Sequence, residues 1–319
     1  MFRSWACRDG EFAVIAYTFK RLLMLFPVVI GISFFIFMVL SIAPGCPALM
    51  MLTLDAPAEA ILALRVDLGL ERPLIVQYVS YMLGVIRLDF GTSWFQGFNV
   101  FDEFSHRLPH TLRLAVFATL LAILLGIPAG IYSAVRHNKM PDYVITVWSL
   151  FFNAMPNFWM GMVFQIIFSL HLGWFPASGV GTWRHMALPV FAIAVNVMAV
   201  NSRMTRTWLL DVIRSDYVRT ARAKGNRESK VIVKHALRNA LLPVVTQVGV
   251  GFANIIGGAL VIENVFAYPG VGSFLNIAVR ANDIPIVVGT IVVIAIFVGV
   301  INLIVDLTYA VIDPRFSYG

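Results

Sequence analysis

Six long stretches of this chain contain no Asp, Glu, Lys or Arg. Five of them reach the roughly 20 residues that an α-helix needs to cross the hydrocarbon core of a bilayer, and the fourth is at the lower limit. Backbone polar groups cannot stay unpaired in lipid, so each stretch predicts a membrane-spanning helix. The predicted spans are Leu22–Ala43, Leu114–Val135, Tyr143–Leu170, Met186–Ser202, Ala240–Ile262 and Ile284–Val305.

The composition supports the same class of protein. Of the 319 residues, 59% are hydrophobic and 13% are charged, whereas a soluble domain is about 25% charged. A chain with so few charges cannot cover a globular surface with polar groups, which argues against a soluble enzyme and against a disordered chain. The fold class that we expect is therefore all-α, a polytopic membrane protein with six transmembrane helices.

The distribution of Lys and Arg predicts the orientation. With the N-terminus placed inside, 17 of the 24 basic residues fall in inside segments and 7 in outside segments. Cytoplasmic loops carry an excess of Lys and Arg, so both termini are expected to be cytoplasmic. The net charge of +7 then follows from this bias, and we expect the lipid bilayer, not a nucleic acid, to be the partner of the basic residues.

These spans and charges predict the organisation of the chain. Two soluble segments stand out, one outside the membrane and one inside. The predicted parts are a cytoplasmic N-terminus (1–21), a first span (22–43), an external segment with short amphipathic helices (44–109), a transmembrane domain (110–308) that includes a cytoplasmic loop (203–239), and a cytoplasmic C-terminus (309–319).

The external segment contains two stretches with helical spacing of apolar residues. Asp55–Leu68 begins with a residue suited to cap a helix and is followed by Gly69, and Pro73–Leu88 is the second stretch. A further short helix is expected at Phe101–Arg107. These helices could lie on the outer membrane surface, or they could help to dock an external partner.

Small residues and prolines occur inside the predicted spans. Two pairs of small residues four apart would let helices approach closely. Two prolines are expected to interrupt their helices, since proline lacks the backbone N–H group. This pattern fits either packing alone or a pathway lined by helices that bend and slide. The residues are Gly126 with Gly130, Ala253 with Gly257, and Pro128 and Pro156.

The chain lacks the motifs of catalysis. It contains no H-E-x-x-H, no G-x-S-x-G and no P-loop, and its six histidines have no zinc-ligand spacing. Glu263 and Asp306 lie at the ends of spans, where an interfacial position is the simpler interpretation. We therefore expect that the chain is not an enzyme and has no metal site and no cofactor of its own. The competing classes are an intramembrane enzyme, which would need a nucleophile or metal motif, and a channel or secondary carrier, which would need no separate ATPase subunit. Energy for uphill transport would come from another polypeptide.

The inside loop 203–239 is strongly basic. Asp216 is suited to cap a short helix at Tyr217–Lys224, and Gly225 is suited to end it. A second helix is expected at Arg227–Arg238. Two short helices joined by a glycine predict a compact knob, which could be anchored to acidic lipids or could seat in a groove of a cytoplasmic partner.

Several ordered segments give the chain a family resemblance. It resembles the dipeptide/oligopeptide/nickel permease family of ABC importers, and in particular the B-type transmembrane subunit of these binding-protein-dependent systems. The resemblance covers essentially the whole chain in the family's order. The segments are D-L-G-L-E-R-P-L-I-V-Q-Y (67–78), L-D-F-G-T-S (88–93), R-L-P-H-T-L (107–112), D-Y-V-R-T-A-R-A-K-G (216–225), H-A-L-R-N-A-L-L-P (235–243), G-G-A-L-V-I-E-N-V-F-A-Y-P-G-V-G (257–272) and L-T-Y-A-V-I-D-P-R-F (307–316).

The resemblance implies a type I ABC importer permease fold and a set of partners. A second homologous permease of the C type would pair with this chain, two cytoplasmic ATPase subunits would bind ATP and Mg, and an external or periplasmic solute-binding protein would deliver the ligand. The setting would be the bacterial cytoplasmic (inner) membrane. The cargo would be short peptides, with nickel or another small solute of the same family as the alternative.

The resemblance also implies where the ATPase docks. The importer EAA signature, Glu-Ala-Ala, three residues and Gly, falls on the window 219–225, in which only Ala221 and Gly225 match the general pattern. The implied coupling residues are Asp216, Tyr217, Val218, Arg219, Thr220, Ala221, Arg222, Ala223, Lys224 and Gly225. No substrate-binding residue is predicted.

Overall fold

The computed structural model of the chain describes residues 3–42, 47–52 and 56–312. Within these ranges every named element is a helix, and the one β-bridge joins Thr92 to Asn99. The helices are α1 (Arg3–Ile42), α2 (Pro47–Met51), α3 (Ala58–Asp67), α4 (Leu74–Ile86), α5 (Val100–Val135), α6 (Met140–Ala154), α7 (Asn157–Phe164, continued by a π-helix at Gln165–His171), α8 (Trp183–Ile213), α9 (Asp216–Ala223), α10 (Glu228–Lys230, continued by a π-helix at Val231–Ala236), α11 (Leu237–Val265), α12 (Val271–Ala281) and α13 (Ile284–Ile312).

Five of the described helices are long and apolar enough to cross a membrane, and there are six spans if the bent pair α6 and α7 counts as one. Five of the predicted spans fall almost entirely within these helices, and the remaining one falls on the bent pair. The spanning segments are Thr18–Ile42, Val100–Val135, Trp183–Ile213, Asn239–Val265 and Ile284–Val305. The predicted all-α, polytopic class is therefore confirmed.

The third predicted span is not a straight helix. It is bent by 104° between Met140–Ala154 and Asn157–His171. Met155 is extended, with φ −87° and ψ 133°, because a residue that precedes proline is disfavoured in the helical region. The interruption expected at Pro156 is thus present. Pro128, in contrast, lies inside the continuous helix α5, so the interruption expected there is wrong.

The external segment differs in detail from its prediction. The two expected helices are present as α3 and α4, each a few residues shorter, and Gly69 follows α3 in a left-handed conformation with φ +70°. The proposed cap Asp55 lies outside the described residues. The separate helix at Phe101–Arg107 is wrong, because this stretch forms the first turns of the 36-residue helix α5.

The chain divides into two compact units. The first consists of Met1–His110 and Pro269–Val300. Its core contains Phe37 and Val288 together with Tyr78, whose hydroxyl group bonds to the Ser33 hydroxyl at 2.8 Å and donates to the Ile30 carbonyl at 3.0 Å. These bonds satisfy the polar atoms that α1 and α4 would otherwise leave unpaired among apolar side chains.

The second unit consists of Thr111–Tyr268 and Ile301–Gly319. Helix α8 is central to it and packs against α6, α7 and α11. Gly130 and Gly126 on α5 lie against the backbone of α8, where an added Cβ at Gly126 would come within 2.7 Å of the Met198 carbonyl oxygen. The first small-residue pair thus brings two backbones together, as expected. In the second pair, Gly257 has no heavy atom within 4 Å of an added Cβ.

Candidate functional site

The basic segment begins where α8 ends. Arg214 caps α8 at its C-terminus, and Ser215 is extended, with φ −69° and ψ 152°, so the chain turns before α9 starts. The N-cap is therefore Ser215 and not Asp216, as the sequence had suggested. The Ser215 hydroxyl donates to the Val212 carbonyl at 2.6 Å. Asp216 becomes the first helical residue, where a negative charge interacts favourably with the helix dipole.

Helix α9 ends at the glycine that the sequence predicted. Lys224 is the C-cap residue, and Gly225 adopts φ +75°, a left-handed conformation that glycine takes at little cost. The Asn226 side chain donates to the carbonyl of Ala221 at 3.0 Å, which satisfies one of the terminal carbonyl groups. The helix, the glycine and the second helix of the predicted knob are all present.

One face of α9 is buried. Val218 is fully buried and Ala221 is 7% exposed. Both lie in an apolar cluster. It also contains residues from the ends of α5 and α8, from the π-helix that continues α10, and from the start of α11. The cluster anchors α9 to the helices of its unit. Its buried members are Ala134, Leu209, Val218, Ala221, Val231, Ala236 and Ala240.

The opposite face of α9 is exposed and polar. The Arg219 side chain is 74% exposed, and Tyr217 is also exposed while its hydroxyl accepts a hydrogen bond from the Asn239 side chain at 2.9 Å. Of the predicted coupling residues, those that face outward are Asp216, Tyr217, Arg219, Thr220, Ala223, Lys224 and Gly225, while Arg222 is half-buried. The surface offered to a partner is therefore narrower than the ten predicted residues.

An ion pair that was not predicted from the sequence joins the two helices of the knob. The Arg222 guanidinium group donates to both carboxylate oxygens of Glu228, at 3.1 and 2.8 Å. The hydrogen bond from Arg222 lowers the pKa of Glu228 below its usual range, and the same bond raises the pKa of Arg222. The pair ties α9 to α10 across Gly225. The sequence does contain one sign of this pair, because an acidic residue, Glu228, begins the second helix six positions after Arg222.

A second polar centre lies at the junction of α5 and α6. The Asp142 carboxylate is 2% exposed and accepts two hydrogen bonds from Arg206, at 2.6 and 2.8 Å. The Ser133 hydroxyl and the backbone N–H of Asn138 also donate to it. This centre could not be predicted from the sequence, because its partners are up to 73 positions apart in the chain.

Glu263 is not the interfacial residue that the sequence suggested. It is fully buried at the end of α11, and one of its carboxylate oxygens accepts a hydrogen bond from the Thr111 hydroxyl at 2.6 Å. Burial also raises the pKa of the nearby Tyr268 phenol. Two of the quoted family segments, 107–112 and 257–272, therefore meet at this contact. Side-chain burial of this kind comes from helix packing, which a hydropathy pattern does not contain.

Metal ligation finds no support in the part of the chain that the structure describes. No three His, Cys, Asp or Glu side chains of residues 3–42, 47–52 and 56–312 are grouped so that they could hold a metal ion. The polar groups described above instead form ion pairs and hydrogen bonds that join helices.

The sequence families settle the class of this protein. Residues 126–318 match the family of binding-protein-dependent transport system inner membrane components, and residues 14–115 match the N-terminal part of such membrane components. The chain belongs to this family and is a permease subunit of an ABC importer. It is a multi-pass inner membrane protein and a transport subunit, not an enzyme.

Individual relatives extend along nearly the whole chain. It is 39% identical to the oligopeptide transport system permease protein AppB of Bacillus subtilis, over 95% of this chain and 99% of the relative. It is 38% identical to the dipeptide transport system permease protein DppB of Alkalihalophilus pseudofirmus, over 96% of this chain and 100% of the relative. It is also 38% identical to the glutathione transport system permease protein GsiC of Escherichia coli K12, over 95% and 99%.

Solved structures confirm the fold. A chain of the inward-facing MetNI methionine ABC transporter aligns with a TM-score of 0.57 and 15% identity, covering 66% of this chain and 96% of that one. A chain of an amino acid ABC transporter crystallised with histidines aligns with a TM-score of 0.52, covering 67% and 94%. At such low identity these structures speak for the fold alone, which this chain shares with chains of ABC transporters.

Proposed function

We propose that this chain moves short peptides across the cytoplasmic membrane as one permease subunit of an ABC importer. The observation that carries the proposal is the 38–39% identity, over nearly the full length, to permeases named for oligopeptide, dipeptide and glutathione transport. The alternative is that the chain is a permease for nickel or another small solute of the same family.

The proposed complex contains partners that supply what this chain lacks. A second, C-type permease completes the pathway, an external solute-binding protein delivers the ligand, and two cytoplasmic ATPases bind ATP and Mg. The chain contains no P-loop motif, which supports an energy source on other subunits. Both termini and the loop 203–239 are cytoplasmic in this proposal, as the excess of Lys and Arg favours.

The proposed contact with an ATPase is α9 with its flanking residues, Asp216–Gly225. Its exposed face, which includes Arg219, is free to enter a groove, as amphipathic helices do. Its buried face rests on the ends of α5 and α8 through Val218 and Ala221. A push on α9 would therefore move whole helices and could shift a two-state equilibrium between inward-open and outward-open forms.

The transport proposal is tested in proteoliposomes that contain both permeases and both ATPases, with the binding protein added outside. We expect ATP-dependent accumulation of labelled di- and oligopeptides and stimulation of ATP hydrolysis only by peptide-loaded binding protein. Accumulation of Ni²⁺, with none of peptide, would overturn the peptide assignment. Uptake that persists when the ATPases are omitted would overturn the importer assignment.

The docking proposal needs a variant on the exposed face, because Ala221 is buried and a change there would disturb the apolar cluster itself. Arg219→Glu reverses an exposed charge, and we expect it to reduce ATPase binding and stimulated hydrolysis about tenfold. Arg136→Glu, at an exposed position between α5 and α6, is the matched control. Equal behaviour of the two variants in a pull-down of the ATPase would reject α9 as the contact.

A further inference from the structure

The buried ion pair between Asp142 and Arg206 has a geometry that fixes direction as well as distance. The Arg206 Nε donates to one carboxylate oxygen at 2.6 Å and Nη2 donates to the other at 2.8 Å. Two parallel bonds of this kind hold both planar groups in one orientation. The Ser133 hydroxyl and the Asn138 backbone N–H also donate to the carboxylate, and His137 Nδ1 lies 3.3 Å from Asp142 Oδ2 and 3.2 Å from Arg206 Nη2. The contact therefore joins the end of α5, the start of α6 and the C-terminal part of α8.

The ends of α5 and α8 that hold the ion pair also contribute to the apolar cluster against which α9 packs. Ala134, next to Ser133, and Leu209, one turn after Arg206, lie in the apolar cluster that buries Val218. The ion pair and the apolar cluster that buries α9 are thus adjacent along both α5 and α8. Any displacement of α9 that moves these two helix ends acts directly on the groups that hold Asp142.

Helices α5 and α8 are also in close backbone contact just beyond the ion pair. Gly130 lies against the Ser202 carbonyl, and Gly126 lies one turn further along, against Met198. The two backbones are in direct contact with no side chain between them. Because such a contact is tightly packed, we expect α5 and α8 to move together. Asp142 is the third residue of α6, the first half of the bent span. A continuous set of contacts therefore leads from α9 to the bent span.

We propose that Asp142 and Arg206 are positioning residues that transmit the movement of α9 to the bent span α6–α7. This inference rests on the proposed function, because it requires ATP-driven movement of α9. A buried ion pair is weak grounds for a stability role, since apolar replacements are often equally stable. A role in transmitting movement explains why the contact is bidentate and why it lies between α9 and the bent span α6–α7.

The experiment measures the number of peptides imported per ATP hydrolysed by the complete reconstituted complex. Asp142→Asn keeps the size of the side chain and one acceptor oxygen, and Arg206→Lys keeps the charge but loses the two-pronged contact. The double variant Asp142→Asn/Arg206→Met removes both charges, so no unpaired charge is left buried. Arg136→Gln, which removes one exposed charge near the same junction, is the control.

We expect the assembled Asp142→Asn, Arg206→Lys and double variants to import about five times fewer peptides per ATP or worse, with hydrolysis continuing and Arg136→Gln unchanged. A stability role alone would lower the yield of complex and leave this ratio intact. Assembled variants that keep the wild-type ratio would overturn the inference. If the wild-type complex itself shows no ATP-dependent uptake, it is the proposed function that fails.

Discussion

Glycine residues with the same sequence spacing have different roles in this protein. Gly126 and Gly130 form a small-residue pair against the backbone of α8, whereas Gly257, in the second pair, meets open space. The spacing alone predicts both contacts equally. Which pair is used depends on how neighbouring helices are rotated, and that is a property of the packed unit.

This difference gives a direct prediction for two matched substitutions. In Gly130→Ala the added Cβ would clash with the Ser202 carbonyl oxygen and lie 2.7 Å from the Thr205 Cβ, so α5 and α8 must separate. We expect a loss of about 1–3 kcal/mol of stability, measured as a lower melting temperature of this permease subunit purified in detergent. Gly257→Ala adds the same methyl group where there is room and gains helix propensity, so its melting temperature should stay equal or rise. The reverse order would refute the packing described here.

Helix α9 is a short element that depends on its neighbours. Eight residues are too few for a stable isolated helix, and three contacts compensate for this. The apolar cluster holds Val218, the Asn226 side chain caps a carbonyl, and the Arg222–Glu228 pair joins α9 to α10. The ion pair is partly exposed, so its contribution is at most about 1 kcal/mol.

The ion pair predicts a pH dependence of α9. The pKa of Glu228 is lowered in the folded protein, so its stabilising contribution is complete above the ordinary Glu pKa and is lost as the pH falls through the lowered value. We expect Glu228→Gln to speed amide hydrogen exchange in α9 at neutral pH, and to do so less as the pH is lowered. Asp211→Asn, an exposed acid on α8, should not change exchange in α9. Identical exchange in both variants would show that the pair does not hold α9.

The bent span α6–α7 shows how far an element can be predicted. Pro156 predicts an interruption, and Met155 is extended as the residue before a proline should be. The angle of 104° does not follow from the proline. It reflects the packing of both halves against α8, which a run of uncharged residues cannot describe.

The orientation of the whole molecule can be tested with single cysteines. After replacement of the native Cys7 and Cys46 by serine, Gln96→Cys and Lys139→Cys place thiols at two exposed positions. Because basic residues concentrate on the cytoplasmic side, we expect an impermeant maleimide to label Gln96→Cys from outside and Lys139→Cys only in inside-out vesicles. The opposite labelling pattern would invert the proposed topology.

The membrane class, the position of the spans and the end of α9 can all be predicted from the amino-acid sequence. These properties depend on local physics: uncharged length sets what can cross lipid, and Gly225 accepts a left-handed conformation whatever surrounds it. The family followed from segments spread along the whole chain. The expected N-cap Asp216 was one residue off, because Ser215 already provides the extended residue at that turn.

Which polar groups meet depends on how the helices pack. Asp142 and Arg206 are 64 positions apart, and Thr111 and Glu263 are 152 apart. No periodicity links such residues, so Glu263 looked like an interfacial side chain until the helices were packed around it. An unpartnered charge is too costly in an apolar interior, so these two buried carboxylates depend on the donors that packing supplies, Arg206 for Asp142 and the Thr111 hydroxyl for Glu263. The sequence thus set which helices exist, and their packing set which contacts connect them.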